Sequence, residues 1–263
     1  MCGASPAPRC SYCSYADRVG EGLRVGACQT PEILADVEAA VACIERFARQ
    51  ADRRGVDVLL FPECFLQGYL VEPAHVSDHA LDLGSGRFAQ VLRRLEGVAQ
   101  TLVFGVIEQQ GSRYFNTAVV AATGGLVGVY RKTHLVPGEA LFDAGDAYPT
   151  FEARGVRFGI NICYDTQFPA AAALVAAQGA KLLLVPAQNM MRRAAATRWK
   201  DEHHRIRCER ARETGMWLVS ADVTGARDAH RVGYGPTSAI NPYGEVVAQV
   251  PLMTTGMVVS DIC

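Results

Sequence analysis

Short apolar segments alternate with amphipathic ones from residue 23 onward, and this alternation limits the folds that the chain can adopt. Residues 23–28 and 56–62 have the apolar composition of buried strands. Between them, residues 33–54 carry apolar side chains at the spacing of one helix face, namely Val37, Val41, Ile44 and Phe47. A chain that repeats strand, helix and strand in this way must bury sheets against helices.

The alternation continues to the end of the chain. The predicted helices lie at 88–100, 170–178 and 199–213, the predicted strands at 102–107, 181–185 and 216–221, the predicted hairpins at 117–130 and 237–250, and a further strand or hairpin arm at 151–158. No linker rich in Pro, Gly or Ser divides the chain after residue 22. We therefore expect residues 23–263 to form one α/β or α+β domain.

Residues 1–22 differ from the rest because they are rich in Cys, Ser, Pro and Gly and lack a sustained apolar period. We expect them to be a mobile N-terminal extension. Cys10 and Cys13 have the spacing of half a zinc site, but no second CxxC or suitably spaced His pair completes it. No metal and no cofactor are therefore expected.

Charge and hydropathy argue against two classes of partner. The formal net charge is -1 and no basic stripe is present, so a nucleic-acid partner is not expected. No apolar run is long enough to span a bilayer, and the N-terminus lacks the apolar core of a signal peptide. We expect a cytoplasmic location, with the nine cysteines mainly reduced.

Cys163 lies where a predicted strand turns sharply into a predicted helix. Residues up to Ile162 are apolar or small, and Pro169 precedes an alanine-rich run. Backbone N–H groups at such a junction can lower the pKa of a thiol or hold an oxyanion. Taken alone, however, a cysteine in this position is more simply a small buried hydrophobe.

Three charged residues follow other apolar segments. Glu63 comes after a buried run, Lys132 comes at the end of a hairpin strand, and Glu139 lies in the loop beyond. Each alone has a simpler interpretation. Glu63 could be a helix cap or a loop carboxylate, Lys132 a surface charge at a strand end, and Glu139 an exposed loop residue. Together with Cys163 they indicate a set of polar side chains converging on one rim of a sheet.

These segments resemble the three signature regions of the nitrilase superfamily of carbon-nitrogen hydrolases. The resemblance rests on Phe61-Pro62-Glu63, Tyr130-Arg131-Lys132-Thr133-His134-Leu135 and Ile162-Cys163-Tyr164-Asp165, with lesser matches at Phe115-Asn116-Thr117-Ala118, Arg210-Ala211-Arg212-Glu213-Thr214-Gly215, Gly235-Pro236-Thr237-Ser238 and Pro242-Tyr243-Gly244-Glu245. It covers roughly residues 23–262 in the expected order. It implies a four-layer α-β-β-α sandwich in a single domain, a homodimer, and a Glu-Lys-Cys catalytic triad.

The resemblance gives each residue a role in amide hydrolysis. Cys163 would attack the carbonyl carbon, and Glu63 would move the protons as general base and acid. Lys132 and the backbone N–H of Tyr164 would stabilise the oxyanion. Glu139 resembles the second glutamate of the family, which holds the lysine and helps to position substrate or water. Since no histidine is needed, we expect His134 to be structural.

At some positions this sequence differs from familiar subgroups of the family, and these differences narrow the range of expected substrates. Gln167 stands where members resembling ω-amidases commonly carry Arg, and Ala170 where they carry Glu. Unless Arg192 or Arg193 reaches the pocket, a dicarboxylic monoamide is less favoured. A nitrile is not expected either, because true nitrilases usually show Trp-Glu after the cysteine.

The expected function is hydrolysis of a linear carboxamide to ammonia or an amine and a carboxylic acid. Tyr69, Tyr164 and Asn189 are the candidate pocket walls, with ordinary loop and core packing as the alternative. Three other functions stay open: an N-carbamoyl hydrolase, a non-catalytic scaffold of the same fold, and a redox-active thiol protein. The last would need a resolving cysteine, and the next one downstream of Cys163 is Cys208.

Overall fold

A computed structural model describes residues 22–263. Cys10 and Cys13, and with them nearly all of the predicted extension, lie outside the described residues. The strands are β1 (Leu23–Pro31), β2 (Val58–Leu60), β3 (Thr101–Gln110), β4 (Arg113–Ala122), β5 (Gly125–Arg131), β6 (Thr150–Ala153), β7 (Val156–Ile160), β8 (Leu182–Pro186), β9 (Met191–Arg192), β10 (Trp217–Ala221), β11 (Val223–Ala226), β12 (Arg231–Tyr234), β13 (Ser238–Ile240), β14 (Val246–Gln249) and β15 (Gly256–Ile262). The helices are α1 (Val37–Asp52), α2 (Pro73–His79), α3 (Gly86–Arg94), α4 (Pro169–Ala176) and α5 (Arg193–Thr214), with a 3-10 segment at Cys163–Gln167.

The strands form two sheets. The first has the order β5-β4-β3-β2-β1-β11-β12-β9, and β15 also pairs with β1. The second has the order β14-β13-β10-β8-β7-β6. Parallel pairs lie at the centre of each sheet, β1-β2-β3 in the first and β7-β8-β10 in the second. Loops that follow parallel strands meet at the same edge, and this is where polar side chains can gather.

Three apolar clusters define four layers of helix, sheet, sheet and helix. The outer face of the first sheet packs on α1 and α3, as in the contact of Ile44 with the cluster around Phe104. The inner faces of the two sheets share a second cluster that includes Leu60 and Leu184. The second sheet packs its outer face on α4 and α5. Each fully buried side chain of this size contributes about 1.5–3 kcal/mol. The predicted α-β-β-α sandwich is confirmed.

Element boundaries differ from the sequence predictions where local chemistry decides them. Helix α1 begins at Val37 because the Asp36 side chain accepts from Ala39 N at 2.8 Å and caps it. Helix α5 begins at Arg193, earlier than predicted, since an alanine run favours helix. Strand β15 was not predicted: it is partly exposed, and its partner β1 lies at the other end of the described chain.

Among residues 22–263, no helix is both long and apolar enough to cross a membrane.

Candidate active site

Lys132 lies between two buried carboxylates. Its Nζ is 2.7 Å from Glu63 Oε1 and 3.0 Å from Glu139 Oε1. All three side chains are almost completely shielded from solvent, at 1% exposure or less. Lys132 directly follows β5, whereas Glu63 follows β2 and Glu139 lies in a loop. The structure therefore brings together three of the four residues predicted to be catalytic.

Asn116 on β4 joins the two carboxylates. Its Nδ2 donates to Glu63 Oε1 at 2.7 Å and to Glu139 Oε1 at 2.9 Å. Backbone N–H groups complete the set, since Gln188 N donates to Glu63 Oε2 at 3.0 Å and Val136 N to Glu139 Oε2 at 2.8 Å. Sequence reasoning assigned no role to Asn116, although its segment is one of the lesser matches. We call Glu63, Lys132, Glu139 and Asn116 the carboxylate–lysine cluster.

Burial and charge shift the pKa values in this cluster. Burial raises the pKa of Glu63; the ammonium of Lys132 opposes the rise and the carboxylate of Glu139 adds to it. Burial alone would lower the pKa of Lys132, but attraction to Glu63, Cys163 and Glu139 together raises it. Lys132 therefore stays positively charged, and the pKa of Glu63 lies above that of an ordinary glutamate.

Gly105 on β3 allows the Glu63 loop to reach its position. Gly105 N donates to Pro62 O at 3.1 Å, and Leu66 N donates back to Gly105 O at 3.1 Å. A Cβ on Gly105 would lie 2.1 Å from Cys64 N and 2.6 Å from the Glu63 carbonyl carbon. No other residue type fits there, because the obstacle is backbone.

Cys163 begins the 3-10 segment in a strained backbone conformation. Its φ is 45°, in the left-handed region that non-glycine residues rarely adopt. The turn is held by Asp165, whose Oδ2 accepts from Ile162 N at 2.8 Å. Strain of this kind costs about 1–3 kcal/mol and persists where surrounding contacts enforce it. Cys163 stays partly exposed while it packs against the apolar cluster between the two sheets.

Asp165 also ties the cysteine turn to the Lys132 segment. Its carboxylate accepts from Tyr130 Oη at 2.7 Å, from Thr133 Oγ1 at 3.0 Å and from His134 N at 2.8 Å. His134 Nδ1 lies 3.0 Å from the same carboxylate, and its ring stacks on Phe168 with centroids 3.8 Å apart. These contacts occupy His134 in holding two loops together, which agrees with its expected structural role.

The surroundings of Cys163 raise the pKa of its thiol above the ordinary value. Burial raises its pKa, and the nearby carboxylate of Glu63 raises it further, while Lys132 lowers it. A protonated thiol is a poor nucleophile, so attack on a carbonyl needs a base beside it. Glu63 is the carboxylate whose charge acts most on this thiol.

Asn189, one of the predicted wall residues, faces Cys163. Its Oδ1 is 3.8 Å from Cys163 Sγ. Its backbone N–H donates to Asp222 Oδ1 at 2.9 Å, and its Nδ2 donates to Asp222 Oδ2. Burial raises the pKa of Asp222, while Arg207 and the donors of Asn189 limit the rise. Asp222 follows β10 and was not predicted; its only signal was a carboxylate directly after an apolar strand.

The two predicted tyrosines occupy different positions. The Tyr69 ring lies over Lys132, with Nζ 5.9 Å from the ring centroid, and it is half-buried. The Tyr164 ring packs edge-on against Phe168, with centroids 5.3 Å apart. Tyr69 therefore borders the cluster, whereas Tyr164 contributes to the site through its position next to Cys163.

The arginines considered for a substrate carboxylate are engaged or exposed. Arg193 Nε donates to Ala229 O at 2.8 Å, and Arg192 is exposed. Arg227 does reach the Tyr69 loop, donating to Tyr69 O at 3.1 Å, but its Nε is bound to Glu32 Oε2 at 2.7 Å. Over residues 22–263 no group of three His, Cys, Asp or Glu side chains is placed to hold a metal.

Comparisons with known proteins identify the family of this chain. The sequence profile of the family described as carbon-nitrogen hydrolase matches residues 24–263. An (R)-stereoselective amidase from Pseudomonas sp. is 32% identical over 73% of this chain and 68% of its own length. The human omega-amidase is 29% identical over 77% of this chain and 75% of its own length. The crystal structure of a mutant amidase from Nesterenkonia, a nitrilase-superfamily protein, is 25% identical with a TM-score of 0.77, covering 92% of this chain and 91% of that one.

Proposed function

Since the chain belongs to the carbon-nitrogen hydrolase family, we propose that it hydrolyses a linear carboxamide through a thioester on Cys163. The products are a carboxylic acid and either ammonia or an amine. Similarity to two amidases supports the class of amidohydrolase. The observation that carries the proposal is the buried Glu63–Lys132–Glu139 arrangement, whose Glu63 and Lys132 charges act on the Cys163 thiol.

In the acylation half-reaction, Glu63 removes the thiol proton as Cys163 Sγ bonds to the amide carbon. The carbonyl oxygen becomes an oxyanion, which Lys132 Nζ and the Tyr164 N–H stabilise. The intermediate collapses when the C–N bond breaks, and Glu63 passes its proton to the departing nitrogen. Ammonia or an amine leaves and a thioester remains.

In the deacylation half-reaction, a water molecule replaces the departed amine. Glu63 takes a proton from this water as its oxygen attacks the thioester carbon. The same two donors stabilise the second oxyanion. The C–S bond breaks, the thiolate recovers its proton from Glu63, and the acid departs. One carboxyl group thus serves both halves, which suits the raised pKa of Glu63.

For the acyl part of the substrate, the site residues bear only on its charge. Gln167 carries no charge, and the Arg227 guanidinium is already paired with Glu32. A dicarboxylic monoamide therefore lacks a free cationic partner at these positions, and a neutral acyl group is favoured. The expected cytoplasmic location and homodimer stay predictions. Light scattering after size exclusion measures the second of these directly.

The test is ammonia release from a panel of short aliphatic amides, dicarboxylic monoamides and N-carbamoyl amino acids. We expect release from the simple amides, with complete loss in Cys163→Ala and an unchanged unfolding temperature. Carbon dioxide accompanying the ammonia would instead identify an N-carbamoyl hydrolase. Turnover by Cys163→Ala near the wild-type rate would overturn the mechanism, and silence across the panel would favour a binding scaffold.

A further inference from the structure

The carboxylate of Asp222 is completely buried and is surrounded by donors. Oδ1 accepts from Asn189 N and from Val223 N, each at 2.9 Å. Oδ2 accepts from Asn189 Nδ2 and lies 3.8 Å from Arg207 Nη2. An ionised carboxylate has acceptor sites only, and each of these four neighbours supplies an N–H.

These contacts fix which way the Asn189 amide points. Rotating the amide by half a turn would place Oδ1 against Asp222 Oδ2, so that two acceptors would face each other in a buried site. The NH₂ group must therefore face Asp222, and the carbonyl oxygen must face Cys163. The orientation of the amide therefore follows from the acceptor chemistry of Asp222.

An acceptor beside the nucleophile has a limited choice of partners during catalysis. The oxyanion needs donors, and Lys132 and the Tyr164 N–H provide them. The thiol can donate to Asn189 only until Glu63 takes its proton. At the scissile carbon, the group that carries further donors is the amide nitrogen, through its N–H bonds.

We propose that Asn189 Oδ1 accepts a hydrogen bond from the N–H of the scissile amide, and that Asp222 is the residue that positions it. This inference rests on the proposed amidohydrolase. It makes the site selective for amides over esters of the same acid, because the alkoxy oxygen of an ester has no hydrogen to donate. When the ester binds, Asn189 Oδ1 is left without a donor. An unpaired acceptor in the site is a strong basis for discriminating the amide from the ester.

Asp222→Asn tests the positioning role with almost no change of shape. Its new amide can still accept from the Asn189 and Val223 backbone groups, but its NH₂ then faces the Asn189 NH₂. The Asn189 amide is expected to turn over and to present a donor to the substrate. We expect the kcat/KM for the amide, divided by the kcat/KM for the ester, to fall by about tenfold or more. The reason is that the N–H of the amide loses its acceptor and meets the NH₂ of Asn189 instead.

The measurement uses two matched pairs: propionamide with methyl propionate, and succinamic acid with monomethyl succinate. Each pair gives the same acid, with ammonia or methanol as the second product. Asp228→Asn is the control, because it makes the same chemical change on an exposed residue of the next turn and should leave the ratio unchanged.

Asn189→Ala is the second variant, in case Asp222→Asn fails to fold. It removes the acceptor while keeping the backbone N–H that binds Asp222, and the ratio should fall in the same direction. A folded Asp222→Asn or Asn189→Ala variant with the wild-type ratio would overturn the inference while leaving the hydrolase intact. A wild-type protein that cleaves neither amide would overturn both.

Discussion

The two sides of the site are held in place by different means. The carboxylate–lysine cluster is sealed from solvent, and its members are fixed by direct hydrogen bonds between charged groups. The thiol side consists of the partly exposed Cys163 and the buried Asn189 and Asp222. It depends on a strained turn at Cys163 and on the hydrogen bonds that join Asn189 to Asp222. In the proposed mechanism, the first side moves the protons and stabilises the oxyanion, and the second supplies the nucleophile and the acceptor beside it.

The contrast has an energetic consequence. A buried ion pair contributes little net stability when intact, but removing one partner leaves an uncompensated charge and costs about 3–5 kcal/mol. The cluster is therefore rigid and intolerant of change. On the thiol side, the substrate must be able to reach Cys163. The strained backbone there is held by the hydrogen bond between Asp165 and Ile162. Changes on the thiol side should therefore affect chemistry more than stability.

Lys132→Arg gives the largest expected effect on the sealed side. The charge stays, but a planar guanidinium does not fit the point between Glu63 and Glu139 that an ammonium occupies. We expect kcat/KM to fall by about 100-fold to 1000-fold, the loss typical of a misplaced oxyanion donor. Steady-state ammonia release measures this, with Lys181→Arg on the exposed surface as the matched control. Turnover close to wild type would remove Lys132 from the mechanism.

Gly105→Ala tests whether the position of Glu63 depends on backbone contact. The added methyl meets Cys64 N and the Glu63 carbonyl carbon, neither of which can rotate away. We expect a loss of about 1–3 kcal/mol in the free energy of unfolding, together with reduced activity. Gly97→Ala is the control, because a Cβ there meets nothing within 4 Å. Equal unfolding free energies for the two variants would show that the loop is not held as described.

Glu139→Gln should lower stability, because it removes one partner of a buried ion pair, but its expected effect on catalysis is the smallest, a shift of pH dependence. Glu63 must be ionised to act as a base, and the negative charge of Glu139 is one cause of its raised pKa. Removing that charge lowers the pKa of Glu63, so activity should persist to lower pH. We expect the acidic limb of the kcat/KM profile to move down by about one pH unit or less.

Exposed Glu152→Gln is the control for that shift. An acidic limb that moves to higher pH in Glu139→Gln, or that does not move, would contradict the assignment of Glu63 as the base.

Local pattern predicts the alternating strands and helices, whereas the four-layer sandwich and the roles of Glu63, Lys132 and Glu139 rest on the resemblance to the nitrilase superfamily. Asn116 was not predicted. Apolar periodicity predicts strands and helices, and charged residues after apolar runs predict Glu63 and Lys132. The thiol side was only partly predictable. Asp222 acts on Asn189 across a loop between different strands, and no local spacing connects them. The pairing of Arg227 with Glu32 likewise depends on a contact distant in sequence.

The central claim is that a covalent acyl group forms on Cys163, and intact-mass spectrometry tests it most directly. The protein is mixed with propionamide, quenched in acid during turnover and digested for peptide mapping. Wild-type protein should gain the mass of one propionyl group on the peptide containing Cys163, and Cys163→Ala should gain none. Ammonia release without any such adduct, or an adduct on another cysteine such as Cys64, would contradict the mechanism.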